Sequence, residues 1–207
     1  VRAREPFRSL VAEAGGTVNL AVRVKNEDAK LATLKRMLRE LFTHSAVIVV
    51  TLAQRKAERL AEAIDGYVPG IRALPASHRD PAEFSDAMSA LARVIQARDL
   101  PPSAAHDATS GCWSWCQRVV AVADIASLRH IPLLRRACAV VFFDVPLPPT
   151  AGVGRVTHGA TFEPSRSSVL EAKVTLFPDA PLTAVITAEG HEARREAGDA
   201  YVEVFPE

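Results

Sequence analysis

The chain has 207 residues, 25 Lys and Arg against 24 Asp and Glu, and a net charge of +1. With 48% apolar and 24% charged residues it has the profile of an ordinary globular domain, which excludes a disordered chain and a global basic field for nucleic acid. No apolar run reaches the roughly 18 residues of a membrane span, and three cysteines, an odd number, argue against a disulfide framework and for an intracellular, reducing compartment.

In chain order, residues 1–17 hold Pro6 and the pair Gly15-Gly16 and read as a loose leading segment before a single domain over 18–207. The initial Val in place of Met is expected of an excised or processed piece of a longer protein. Val18 to Val24 alternates well enough for a half-buried strand. Asn26, Glu27 and Asp28 supply a cap for a helix predicted over Ala29 to Phe42, with Leu31, Leu34, Leu38 and Leu41 on its core face. Ala46 to Val50 is a continuous β-branched run, the pattern of a strand covered on both faces and therefore of a parallel sheet.

The next helix is lined by Ala57, Leu60, Ala61 and Ile64 and ends at Asp65-Gly66. Gly70 to Leu74 is a third short strand. Ser77 to Asp80 then caps a helix over about Pro81 to Ala97, with Phe84, Met88, Leu91 and Ile95 facing inward. Residues 99–117 form an irregular insertion that contains Trp113 and Trp115. Strands are predicted at Arg118 to Ala123, Cys138 to Phe143 and Leu182 to Thr187, with a long loop over Ala151 to Leu170 inside a second insertion, 151–180. A helix over Ala188 to Ala197 and an extended piece at Tyr201 to Phe205 complete the chain. Alternating strands and helices of this kind imply an α/β domain, a mostly parallel central sheet flanked by helices on both faces.

Four stretches carry a family likeness. Ala29-Lys30-Leu31 opens a helix of the form K-L-x-x-L. Val47 to Thr51, followed by Gln54-Arg55-Lys56, is a strand and basic turn. Val119 to Asp124, followed by Ile131-Pro132, is written in the family V-A-T-D-x-A-A-R-G-x-D-I-P. Cys138 to Pro146 matches V-I-N-Y-D-x-P. In this order they resemble the second, C-terminal RecA-like domain of DEAD-box ATP-dependent RNA helicases.

The resemblance implies a single RecA-like domain that binds RNA through Thr51, Arg55 and Asp124. It also implies Arg155 as a catalytic arginine finger on the γ-phosphate, with His158 at the second finger position of the nucleotide site. ATP and Mg would be bound only together with an N-terminal RecA-like domain of the same protein, and this domain alone would be inactive. RNA, that N-terminal domain and proteins docking at the insertions are the implied partners, with no membrane.

The chain departs from the pattern in places. Ala123 replaces the motif's Thr, and the Arg-Gly and second Asp are missing. Gly152 to His158 keeps only Gly154 and Arg155 of H-R-x-G-R-x-G-R, and histidine cannot replace a fixed planar cation on phosphate. Asp80-Pro-Ala-Glu83 stands where Gln-x-x-Arg is usual, which puts carboxylates where phosphate would dock.

These departures keep a second function open: a catalytically degenerate helicase-like scaffold in an RNA-processing or ribosome-related assembly. A Rossmann-like enzyme is a distant third, because no Gly-x-Gly-x-x-Gly turn follows a strand. Bland roles stand beside the sharp ones. Arg155 reads equally as a solvated loop arginine, Asp124 as a helix cap and Thr51 as a strand end. Cys112 and Cys116 lack a second pair and read as apolar cysteines, and Trp113 and Trp115 as packing residues. Arg129, Arg135, Arg136, Arg194 and Arg195 read as solvated positions, and His191 and Glu192 as an exposed helix start.

Overall fold

The computed structural model describes residues 18–40, 46–67, 70–99, 118–131, 139–144, 180, 182–188 and 202–204. Seven strands, β1 (Val18–Val24), β2 (Ala46–Thr51), β3 (Ile71–Pro75), β4 (Arg118–Asp124), β5 (Ala139–Phe142), β6 (Leu182–Ala188) and β7 (Val202–Val204), form one sheet. Three helices are described: α1 (Glu27–Glu40), α2 (Gln54–Ile64) and α3 (Pro81–Asp99). A short 3-10 turn (Leu128–His130) follows β4.

The strand order is β3-β4-β2-β5-β6-β1-β7, and each described pairing is parallel. From β1 to β2 to β3 the chain steps in one direction along the sheet, and from β3 to β4 it reverses. With right-handed crossovers, that reversal puts α1 and α2 on one face and α3 on the other. The two cores follow this division. Leu34, Met37, Leu38, Ala57, Leu60 and Ile64 pack on Val47, Val49, Val120 and Val122. Ala87, Ala90, Leu91 and Ile95 pack on Ile48, Val50, Ala121 and Phe142. The residues of β2 are buried throughout, as a strand between two helical layers requires.

The helix boundaries have local causes. The Asn26 side chain accepts the Ala29 N–H at 2.9 Å, so α1 begins directly after Asn26, two residues earlier than predicted, and Glu27 and Asp28 fall in its first turn where the dipole favours them. The buried set of α2 is Ala57, Leu60, Ala61 and Ile64, as its periodicity requires. Its end is fixed by Gly66 at φ 70, a left-handed conformation that a Cβ disfavours, while the Asp65 carboxylate accepts the Ala73 N–H at 2.9 Å and draws β3 back against the helix. Asp80 Oδ1 accepts the N–H groups of Ala82 and Glu83, both at 3.1 Å, and starts α3.

Ala188, where the sequence suggested a helix start, is the last residue of β6 and pairs with Val24. The rest of that helix lies outside the described residues, as do residues 1–17, most of the 99–117 segment with Trp113 and Trp115, and the 151–170 loop. Among the described residues no helix is long and apolar enough to cross a membrane.

Candidate functional site

In a parallel sheet the chemistry collects beyond the carboxyl ends of the strands, near the place where the winding reverses. Here that rim is formed by the ends of β3, β4, β2 and β5, and its loops are tied to one another. The Ile125 N–H reaches Thr51 O at 2.9 Å. The N–H groups of Phe143 and Asp144 both reach Val50 O, at 2.9 and 3.3 Å, and the Ala76 N–H reaches Val122 O at 2.8 Å.

Asp144, buried at the end of β5, is the electrostatic centre of one half of the rim. Its Oδ1 lies 2.5 Å from Lys56 Nζ on α2 and 3.9 Å from Lys30 Nζ on α1, and its Oδ2 accepts the Leu52 N–H at 3.3 Å. Lys30 is 5% exposed and also meets Glu27 at 2.8 Å. Both ammonium groups lie over the Phe143 ring, at 5.8 Å for Lys30 and 5.1 Å for Lys56. One carboxylate therefore holds α1, α2 and the β2–α2 turn in fixed relation. Beside it opens a groove of about 540 Å3, lined by apolar Leu31, Leu60 and Phe143 and by charged Glu27, Lys56 and Arg59 among others.

The other half of the rim is built on Asp124. Its Oδ1 accepts the Ser127 N–H at 3.0 Å, and its Oδ2 accepts the Ser127 hydroxyl at 2.8 Å. With its proton directed at Asp124, the Ser127 oxygen accepts two bonds from His78, the backbone N–H at 2.9 Å and ring Nδ1 at 2.8 Å. That network assigns the ring proton to Nδ1. The His78 ring stacks on that of His130, with centroids 4.7 Å apart and planes 21° from parallel. The order Asp-Ser-His is not a nucleophilic triad. Ser127 is fully buried, and its hydroxyl is spent on the carboxylate rather than offered to the imidazole as base.

The structure brings Thr51, Arg55 and Asp124 to this one rim, with Thr51 and Asp124 directly paired across β2 and β4. Thr51 is fully buried, and its hydroxyl donates to Ala53 O at 3.2 Å. Asp124, 4% exposed, is engaged by Ser127. Arg55, on the first turn of α2, is exposed. That helix begins at Ala53 with no side chain capping it. Arg155 and His158 lie outside the described residues. Glu83, on the first turn of α3, has its carboxyl raised above the usual range by burial first, and then by Asp80 and Glu58. Among the described residues no group of three or more His, Cys, Asp or Glu side chains is placed to hold a metal ion.

No protein-family model matches the chain. No curated protein matches it either. Solved structures do. The E. coli DEAD-box protein SrmB, bound to the regulator of ribonuclease activity A, RraA, superimposes with a TM-score of 0.54 at 13% identity, over 91% of this chain and 88% of that one. S. cerevisiae Dbp5, bound to Gle1 and IP6, superimposes with a TM-score of 0.52 at 10% identity, over 92% of this chain and 41% of that one. The fold is that of a helicase RecA-like domain.

Reading by sequence missed Lys30, Asp144, His78, Ser127 and His130 as rim residues. Lys30 carried a usable signal, because it stands four residues before Leu34 and seven before Met37, on the buried stripe of α1. The contact of His78 with Ser127 spans 49 residues and carried none.

Proposed function

We propose that this chain is the C-terminal RecA-like domain of a DEAD-box-like ATP-dependent RNA helicase. It binds single-stranded RNA along the carboxyl rim and completes an ATP site only with an N-terminal RecA-like domain. The observation that carries this reading is the fold, matched over 91% of the chain by a DEAD-box protein, together with the ordered family-like stretches at Val47–Thr51, Val119–Asp124 and Asp144–Pro146. On this reading Arg55 and the uncapped start of α2 face the RNA backbone. Thr51 and Asp124 act by holding the ends of β2 and β4 rather than by offering their own side chains, which are buried and internally bonded. Arg155 and His158 belong to the nucleotide side, where ATP and Mg are held jointly with the other domain.

RNA-stimulated ATP turnover by the full-length protein tests this. Arg155→Ala is expected to lower turnover about a thousandfold, and Arg55→Ala to weaken RNA binding and flatten its salt dependence by about one unit of slope. Measurable turnover that is unchanged in Arg155→Ala removes the nucleotide role.

A second reading is a helicase-like scaffold without catalysis. It is favoured by the carboxylates Glu58, Asp80 and Glu83 near the start of α3, a repulsive setting for phosphate; burial first, then Asp80 and Glu58, raise the Glu83 carboxyl. The protein partners of SrmB and Dbp5 support docking as a use for such a domain. Full-length protein that binds RNA or a protein partner but shows no RNA-stimulated turnover would favour it.

A further inference from the structure

The paired rings of His78 and His130 take no part in the functions assigned above. They come from two different loops, β3–α3 and the turn after β4, which the sheet places side by side at the rim. His78 is fixed by two hydrogen bonds to a fully buried Ser127, itself anchored on Asp124. His130 is held by its N–H on Ser127 O at 2.9 Å, and its ring lies on His78, yet the residue is exposed. A stack of two aromatic rings, one anchored through Ser127 and the other on an exposed residue, sits next to the exposed Arg79.

Resting on the RNA reading above, we propose that this stack is a ledge for a nucleobase. A base of single-stranded RNA lying along the rim packs on the exposed His130 imidazole and extends the two-ring stack to three. Unstacked bases of single strands pack on histidine and other aromatic rings, and every base offers a π-face, so the ledge is tolerant of sequence. Because His78 pre-orders the ring, little freedom is lost when the base arrives.

The test uses the full 207-residue chain and a fluorescein-labelled ten-nucleotide oligouridylate, read by anisotropy. His130→Ala is expected to weaken binding roughly 5- to 150-fold, the range for losing one base stack. It should leave the slope of log Kd against log salt unchanged, unlike Arg55→Ala. His130→Phe restores the affinity. An abasic strand of the same length binds the parent and His130→Ala equally. Thermal unfolding should be near the parent value for both exposed-site variants.

Equal oligouridylate affinity for the parent and His130→Ala overturns the ledge while leaving the RNA reading intact. Failure of every form to bind any strand overturns both. Binding of free adenosine monophosphate that depends on His130, without strand binding, also overturns the proposal, because the ring then serves a mononucleotide.

Discussion

Asp144 ties together three segments that are distant in sequence, and its removal should be felt at each. Asp144→Ala leaves Lys30, whose side chain is only 6% exposed, with Glu27 as its carboxylate and takes the acceptor from the Leu52 N–H, and is expected to cost about 1–3 kcal/mol in urea unfolding. Lys56 contacts the same carboxylate, but its side chain is 42% exposed, so Lys56→Ala should cost no more than about 1 kcal/mol. Glu83 tests the opposite case. Its folded-state carboxyl is raised by burial, then by Asp80 and Glu58, so the folded state holds the proton more tightly than the unfolded one. That contribution is fully present below the unfolded value and is lost as pH rises through the raised one. Glu83→Gln should therefore gain stability relative to the parent as pH rises through the carboxylate range, with little difference below it. A difference that shrinks with rising pH would contradict the assigned cause. Of these pairings only Asp80 with Glu83, three residues apart at a helix start, was legible beforehand. A single sequence shows which residues are charged, but the sequence separation of 88 from Lys56 to Asp144 is closed by the sheet and not by any local pattern.

At the scale of elements, what repeats locally was legible. The period of α2 named its four buried residues, and the unbroken β-branched run of β2 announced a strand with two covered faces. What depended on one side chain was less so. The Asn26 cap moved the start of α1, and the end of β6 ran on to Ala188 because Val24 was there to pair with it. The start of α2 carries a testable conflict between stability and binding. Ala53 holds an extended N-cap conformation, φ −133 and ψ 142, but offers no side-chain acceptor. Ala53→Asp supplies one and should raise stability by about 1 kcal/mol in thermal or urea unfolding. The same carboxylate opposes phosphate at the helix start, so oligouridylate affinity should fall. A variant that gains stability with no change in affinity would remove RNA from this end of α2.

For the whole molecule, the sheet order was the illegible part. Nothing local tells β1 to sit beside β6, yet Val18 pairs with Leu182 across most of the chain. β6 is the bridge between two halves of the sheet. It joins β5 on one side to β1 on the other, and among the described strands β1 has only β6 and β7 as neighbours. A chain ending at residue 181 should therefore lose cooperative unfolding altogether rather than merely melt lower, as followed by far-ultraviolet circular dichroism in urea. Retention of a single sharp transition would show that β3, β4, β2 and β5 suffice as a folding unit. Pairing over such separations also makes closure entropy a large part of the folding barrier, so refolding should be slow for a chain of this size.

The central place of β2 has one more consequence. Its amides bond to strands on both sides, and helices shield both its faces, whereas the three residues of β7 pair on the β1 side at the end of the strand order. In heavy water, deuterium should enter Val202–Val204 early, by fraying, and reach Ala46–Thr51 last, only when the whole body opens. The uptake of that single peptide then reports global unfolding, and it would register a rim ligand as a slower clock without any label at the rim itself.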